Sequence, residues 1–171
     1  EVWREKQGLT ARGETEAALS LLQSALRKNP EASVSRVNLA DLYRTLGNEA
    51  AARETLETGI ALNADDGALW FSLALLEVRE GNAEQGLQAL AKAASLEETP
   101  GYYHYVLAVA QNDQGLSTEA LATLKATHRA APGQPNVLAA LMQCSQLAGD
   151  RQSAQRYRDE LRATVQAAGL Q

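Results

Sequence analysis

Five glycines, Gly13, Gly47, Gly81, Gly115 and Gly149, follow one another at a constant interval of 34 residues. With 12 glycines in 171 residues, four more in register arise by chance at a rate on the order of 10⁻⁵. Other positions keep the same period. Eight residues before each glycine stand Glu5, Leu39, Leu73, Leu107 and Leu141. Five residues after come Ala18, Ala52, Gly86, Ala120 and Ala154, and nine after come Leu22, Leu56, Leu90, Leu124 and Arg158. A chain patterned in this way is one supersecondary unit used repeatedly, each copy burying its apolar face on the next.

The physics within a unit is legible in "VSRVNLADLYRTLGNEAAARETLETGIAL". Leu39, Leu42, Tyr43 and Leu46 recur at three- and four-residue spacing, which predicts a helix. Gly47 ends it, because glycine enters the left-handed region without a Cβ clash. A second helical pattern runs through Ala52, Leu56, Ile60 and Leu62. The small residue five positions after each glycine stands where two helices cross closely. Pro30, Pro100, Pro132 and Pro135 fall between units, where a missing N–H costs little. The pattern predicts ten helices in five hairpins: 1–12/15–28, 33–46/49–62, 67–80/83–96, 101–114/117–130 and 135–148/151–167. These form one domain over 1–171, with units at about 1–32, 33–66, 67–100, 101–134 and 135–171. The start at Glu1, without an initiator Met, reads as a piece excised from a longer protein.

Trp70, the pair Leu73-Ala74, Tyr43 and the periodic Gly, Ala and Leu positions resemble the tetratricopeptide repeat (TPR) family over nearly the whole chain. The resemblance implies an all-α fold: an α-solenoid of five TPR helix–turn–helix units, curved into a superhelix whose concave groove is lined by the first helix of each unit. Two departures stand out. Glu5-Lys6 replaces Leu-Ala in the first unit, so its opening helix is expected to be poorly formed. Arg158 replaces the last packing leucine, and the neighbouring Tyr157 is expected to fill the space. The final helix keeps one apolar stripe, Ala154, Tyr157, Leu161 and Val165, with polar residues on its other face, as the end of a solenoid needs.

Composition narrows the function. A net charge of −5 argues against nucleic acid and anionic membrane as partners. No apolar run reaches the roughly 18 residues of a spanning helix, which argues against membrane insertion. The single cysteine, Cys144, excludes an internal disulfide and cysteine-based zinc or haem motifs, and its apolar surroundings predict an inert thiol. His104 and His128 have no ligand spacing around them, and His104 occupies the slot of Trp70, so it is expected to pack. Glu97-Glu98 and Asp65-Asp66 read as solvated loop residues. The glycines belong to the repeat and not to a phosphate loop. No catalytic, cofactor or metal residues are assigned, and the chain reads as a non-enzyme.

The groove is the stronger candidate. Helical geometry puts the positions 13, 10 and 6 residues before each hinge glycine on the concave face, followed by one more a turn later. From these come the candidate partner-binding residues Val37, Arg44, Phe71, Leu75, Arg79, Tyr102, Tyr105, Val109, Asn112 and Gln143. Trp3 and Gln7 are their first-unit counterparts. An apolar groove with aromatic anchors suits a peptide or partner protein. The carboxylate clamp of chaperone-binding TPR domains is not matched, since only Asn38 corresponds. The run around "NLADLYRTLG" also resembles TPR segments of some bacterial multihaem cytochrome-type proteins, which implies a neighbouring domain of the same chain as an alternative occupant. Self-association is the third. The run "PGYYHYVLAV" is accordingly divided: Tyr103 and His104 towards neighbouring helices, Tyr102, Tyr105 and Val109 towards the groove.

Overall fold

The computed structural model describes the backbone of residues 2–169 and the side chains of 13–169. In order, the helices are α1 (Val2–Lys28), α2 (Ser33–Thr45), α3 (Glu49–Leu62), α4 (Gly67–Arg79), α5 (Ala83–Ser95), α6 (Tyr102–Asp113), α7 (Ser117–Ala130), α8 (Pro135–Leu147) and α9 (Arg151–Ala167). No strand occurs among the described residues. Each helix packs on the next in the chain, and α2 also packs on α4. Contacts between chain neighbours are what define an α-solenoid.

Four of the hinge glycines behave as the spacing predicts. Gly47, Gly81, Gly115 and Gly149 have φ of 73°, 85°, 78° and 72°. In each case the following N–H reaches back to a carbonyl five residues earlier: Asn48 to Tyr43, Asn82 to Glu77, Leu116 to Gln111 and Asp150 to Ser145. This is the Schellman closure, repeated four times, and it fixes where every first helix stops.

The fifth glycine overturns an expectation. Residues 1–12 and 15–28 are not two helices: α1 runs unbroken through Gly13, so four hairpins follow one long helix. The reason lies in the Glu5-Lys6 pair. A hairpin at Gly13 would give up backbone hydrogen bonds without laying a Leu-Ala surface on its partner, so the ladder continues. The side chains of Trp3 and Gln7 lie outside the described residues.

The small positions are buried at the crossings: Ala52, Gly86, Ala120 and Ala154. A Cβ built on Gly86 would stand 2.7 Å from Val78 Cγ2. Core clusters bridge successive units. Leu56 of one hairpin packs with Leu69 and Leu76 of the next, and Leu124 packs with Val137, Leu138 and Leu141. Tyr157 is buried in that last cluster while Arg158 is exposed, so the tyrosine does replace the missing leucine.

One register position ties three of the first helices, α2, α4 and α6, to the loop before them. Arg36 donates from Nε and Nη2 to the Pro30 carbonyl at 3.0 and 2.8 Å. One period later Trp70 Nε1 donates to the Ala64 carbonyl at 2.8 Å. Next, His104 Nδ1 lies 2.8 Å from Glu97 Oε2. The fourth occurrence, Leu138, is buried in the core instead.

A second tie crosses from α3 to α4. Arg53 pairs with the buried Glu77 and with Glu80, and Asn82 Nδ2 donates to Glu77 at 2.8 Å. The hydrogen bond from Arg53 holds the Glu77 carboxyl below the usual range against the upward push of burial.

Two predictions follow from this packing. Ala52→Leu should destabilise the fold by about 1–3 kcal/mol through overpacking at the α2–α3 crossing, read by urea unfolding. Arg53→Met, which leaves Glu77 buried without its cation, should remove about 2 kcal/mol at neutral pH. A depressed carboxyl stabilises above its unfolded value of about 4.3, and that contribution disappears as pH falls through the folded value. Melting temperature should therefore fall less on acidification in the variant than in the parent chain.

Candidate functional site

The residues singled out on the groove face all lie on first helices, and they form three groups. Between α4 and α6, the Phe71 ring is tilted against Tyr102 at 5.6 Å and stacked on Tyr103 at 4.7 Å. Between α6 and α8 lies a pocket of about 240 Å³ walled by Tyr105, Val109, Asn112 and Gln143, with Ala120 and Leu124 of α7 at its base. Between α2 and α4, Arg44 and Leu75 share a small notch above Ala52 and Leu56. There Arg44 Nη2 pairs with Asp41 Oδ1 at 3.0 Å. Val37 is half-buried against the neighbouring core, and Arg79 is exposed at the end of α4.

Exposure separates these residues further. Leu75 on α4 and Tyr102 and Val109 on α6 are 41%, 57% and 40% exposed. Phe71 and Tyr105 are half-buried and packed against core clusters, so each is partly scaffold. Leu147, exposed and lining the α6–α8 pocket, was not among the candidates. It lies one helical turn beyond Gln143, so the three- and four-residue spacing that selected Gln143 also reaches it.

The start of α6, which aims the tyrosines, depends on a residue that the sequence reading assigned to solvent. Glu97 turns back onto the helix. Its carboxylate accepts from the N–H groups of Gly101 at 3.0 Å, Tyr103 at 3.0 Å and His104 at 3.3 Å, besides the imidazole. Burial pushes the Glu97 carboxyl up, but the bonds from His104 and the three amides outweigh it, and the net shift is downward. Burial, with Glu97 and Asp66 nearby, also pushes the Tyr103 hydroxyl up. His104 is thus tied into the scaffold, as its equivalence to Trp70 suggests.

Cys144 is half-buried in the wall of the α6–α8 pocket, and burial pushes its thiol up, which keeps it protonated and unreactive. Among the described residues no group of three His, Cys, Asp or Glu side chains could hold a metal ion. None of the described helices is long and apolar enough to cross a membrane.

Four glycine-closed hairpins stacked on one another define a helical repeat protein, an α-solenoid. Tetratricopeptide repeat models match residues 9–76 and 71–135, and the chain belongs to that family. No curated protein matches it by sequence. Among solved structures it is similar to MamA (TM-score 0.73, 17% identity, 94% of each chain covered). PilF of Pseudomonas aeruginosa is similar at TM-score 0.73 and 18% identity, over 94% of this chain and 73% of that one. YrrB, described as a TPR protein with an unusual peptide-binding site, is similar at TM-score 0.64 and 19% identity, over 92% and 81%. At these identities the likeness is one of fold.

Glu97→Ala should destabilise the chain by about 1–2 kcal/mol, the range for losing a helix cap. Amide exchange at Tyr103 and His104 should accelerate more than at α8. Because the Glu97 carboxyl is depressed, its contribution is present above about pH 4.3 and fades as pH falls through the folded value, so parent and variant should converge in acid.

Proposed function

We propose that the chain is a non-catalytic protein–protein interaction scaffold that holds a peptide or helix of a partner along the face formed by α2, α4, α6 and α8. The observation that carries this reading is the exposure of Leu75, Tyr102, Val109 and Leu147 on α4, α6 and α8, the last two lining the α6–α8 pocket. Exposed apolar side chains leave unfavourable surface in water, and a partner's apolar residues relieve it. Tyr102, backed by Phe71 and Tyr103, is the aromatic anchor of the kind that dominates such interfaces. Asn112 and Gln143, on opposite walls of the pocket, offer amide groups for a bound peptide backbone. Arg44 and Arg79 supply charge at the rim, where they affect association rate more than affinity. The peptide site ascribed to YrrB is consistent with this reading. A neighbouring domain of a longer parent chain would use the same surface.

The test separates surface from scaffold. In the triple variant Tyr102→Ser, Val109→Ser, Leu147→Ser, every altered side chain is solvent-facing, so helicity and melting temperature should stay close to those of the parent. Affinity for a partner recovered with the parent chain should fall at least about tenfold, since each truncated anchor removes about 1 kcal/mol or more. Tyr105→Ala, by contrast, should also lower stability by about 1–3 kcal/mol because its ring is half core. Undiminished capture by the triple variant would reject the groove face as the binding surface.

A further inference from the structure

A second cavity lies away from the groove face. It lies between α7 and α9, the second helices of the last two units, with a volume of about 660 Å³. Its lining is basic: Lys125, His128 and Arg129 from α7 meet Arg156 and Tyr157 from α9, with Glu160 beside them. This clustering stands out in a chain of net charge −5.

Two features keep these cations available. First, none of Lys125, Arg129 or Arg156 forms an ion pair among the described residues, whereas Arg44 and Arg53 are both tied to carboxylates. The one acid in the cavity, Glu160, faces His128 Nε2 at 3.4 Å. Asp150 caps α9 through the Ser153 N–H and feels the charges of Lys125 and Arg156, which help hold its carboxyl down, but it closes no ion pair with either. Second, Arg156 is held in place by a ring. Its guanidinium sits 4.6 Å from the Tyr157 ring centroid, and Tyr157 is itself fixed by burial and by an edge contact with His128 at 5.9 Å. A guanidinium positioned over an aromatic face keeps its in-plane donors free for an anion.

Helix electrostatics explain only part of the pattern. Arg129 and His128 lie in the last turn of α7, where cations are favoured. Lys125 lies a turn earlier, and Arg156 lies near the start of α9, the end that favours anions. What these residues share is the cavity.

We infer that the cavity between α7 and α9 is a second binding site, on the face opposite the groove, that takes an acidic peptide segment. Its volume exceeds that of a single anionic group and accommodates a few residues, and its three unpaired cations set the charge of what enters. Carboxylates of the segment meet Arg156 and Arg129 in the planar, two-point geometry that guanidinium favours, with Lys125 as a point charge. The site is independent of the groove, so the chain could hold two partners or two segments of one.

The test uses the chain with a fluorescein-labelled hexaglutamate peptide, read by anisotropy, with hexaglutamine as the uncharged counterpart. Hexaglutamate should bind, hexaglutamine should not, and binding should weaken as salt rises. Lys125→Glu/Arg129→Glu, two exposed positions on α7, should weaken binding about tenfold or more by charge reversal while leaving the melting temperature near that of the parent. Arg156→Gln should weaken it less. The groove variant Tyr102→Ser/Val109→Ser should bind as the parent does. Equal affinity in the charge-reversed variant, or loss of binding in the groove variant alone, overturns the inference. So does binding of inorganic phosphate without binding of the peptide, since the site then takes a small anion.

Discussion

Everything in this solenoid depends on each first helix stopping at the same point. The left-handed glycine does this locally, and the carbonyl five residues earlier closes the turn by accepting the N–H that follows it. Because the stop is fixed, the residue five positions later always arrives at the helix crossing, where only a small side chain fits. The leucine four positions beyond then meets the core at Leu56, Leu90 and Leu124, and in the last unit Tyr157 takes that role. The groove face is a by-product: with the buried positions specified, the remaining positions of the first helices have nowhere to point except outward.

That dependence explains what could be read from the sequence. The hinges and the small crossings, and the placing of Val37, Phe71, Leu75, Tyr105 and Val109 on first helices, are consequences of period, and period is visible in a string of letters. Substitution of Tyr157 for the absent leucine was equally legible, because Tyr157 stands three residues after Ala154 and four before Leu161, on the same apolar stripe of α9. The failures have a different character. Whether Gly13 breaks a helix depends on what the break would gain, and Glu5-Lys6 offers no apolar surface to reward it. Glu97 sits in a loop, where no period governs direction, so its return onto the start of α6 left no pattern to find. How far Phe71 is covered by Tyr103 depends on ring orientation, which spacing does not encode.

The two faces of the molecule differ in the chemistry they offer. On the groove face the exposed groups are mostly apolar and amide, with Arg44 held by Asp41 and Arg79 exposed at the end of α4. On the α7–α9 face Lys125, Arg129 and Arg156 predominate, with Glu160 turned to His128. A repeat architecture allows this division because first and second helices are patterned independently, once each has given one stripe to the shared core.

The joints between units are not chemically equivalent, and this bears on how the array comes apart. In a linear array, stability is a sum of unit terms and nearest-neighbour terms, so the weakest seams set the cooperative blocks. The α3–α4 seam is closed by Glu77 and the α5–α6 seam by Glu97, both carboxylates that must stay ionised. The α7–α8 seam contains the buried Val137 and Leu138, and Gln134 Nε2 bonds the Pro100 carbonyl at 2.7 Å. Apolar packing crosses all three seams, so acid loosens the carboxylate ties of the first two without removing their cores, and the hold of α3 on α4 and of α5 on α6 is the part of the array that depends on pH.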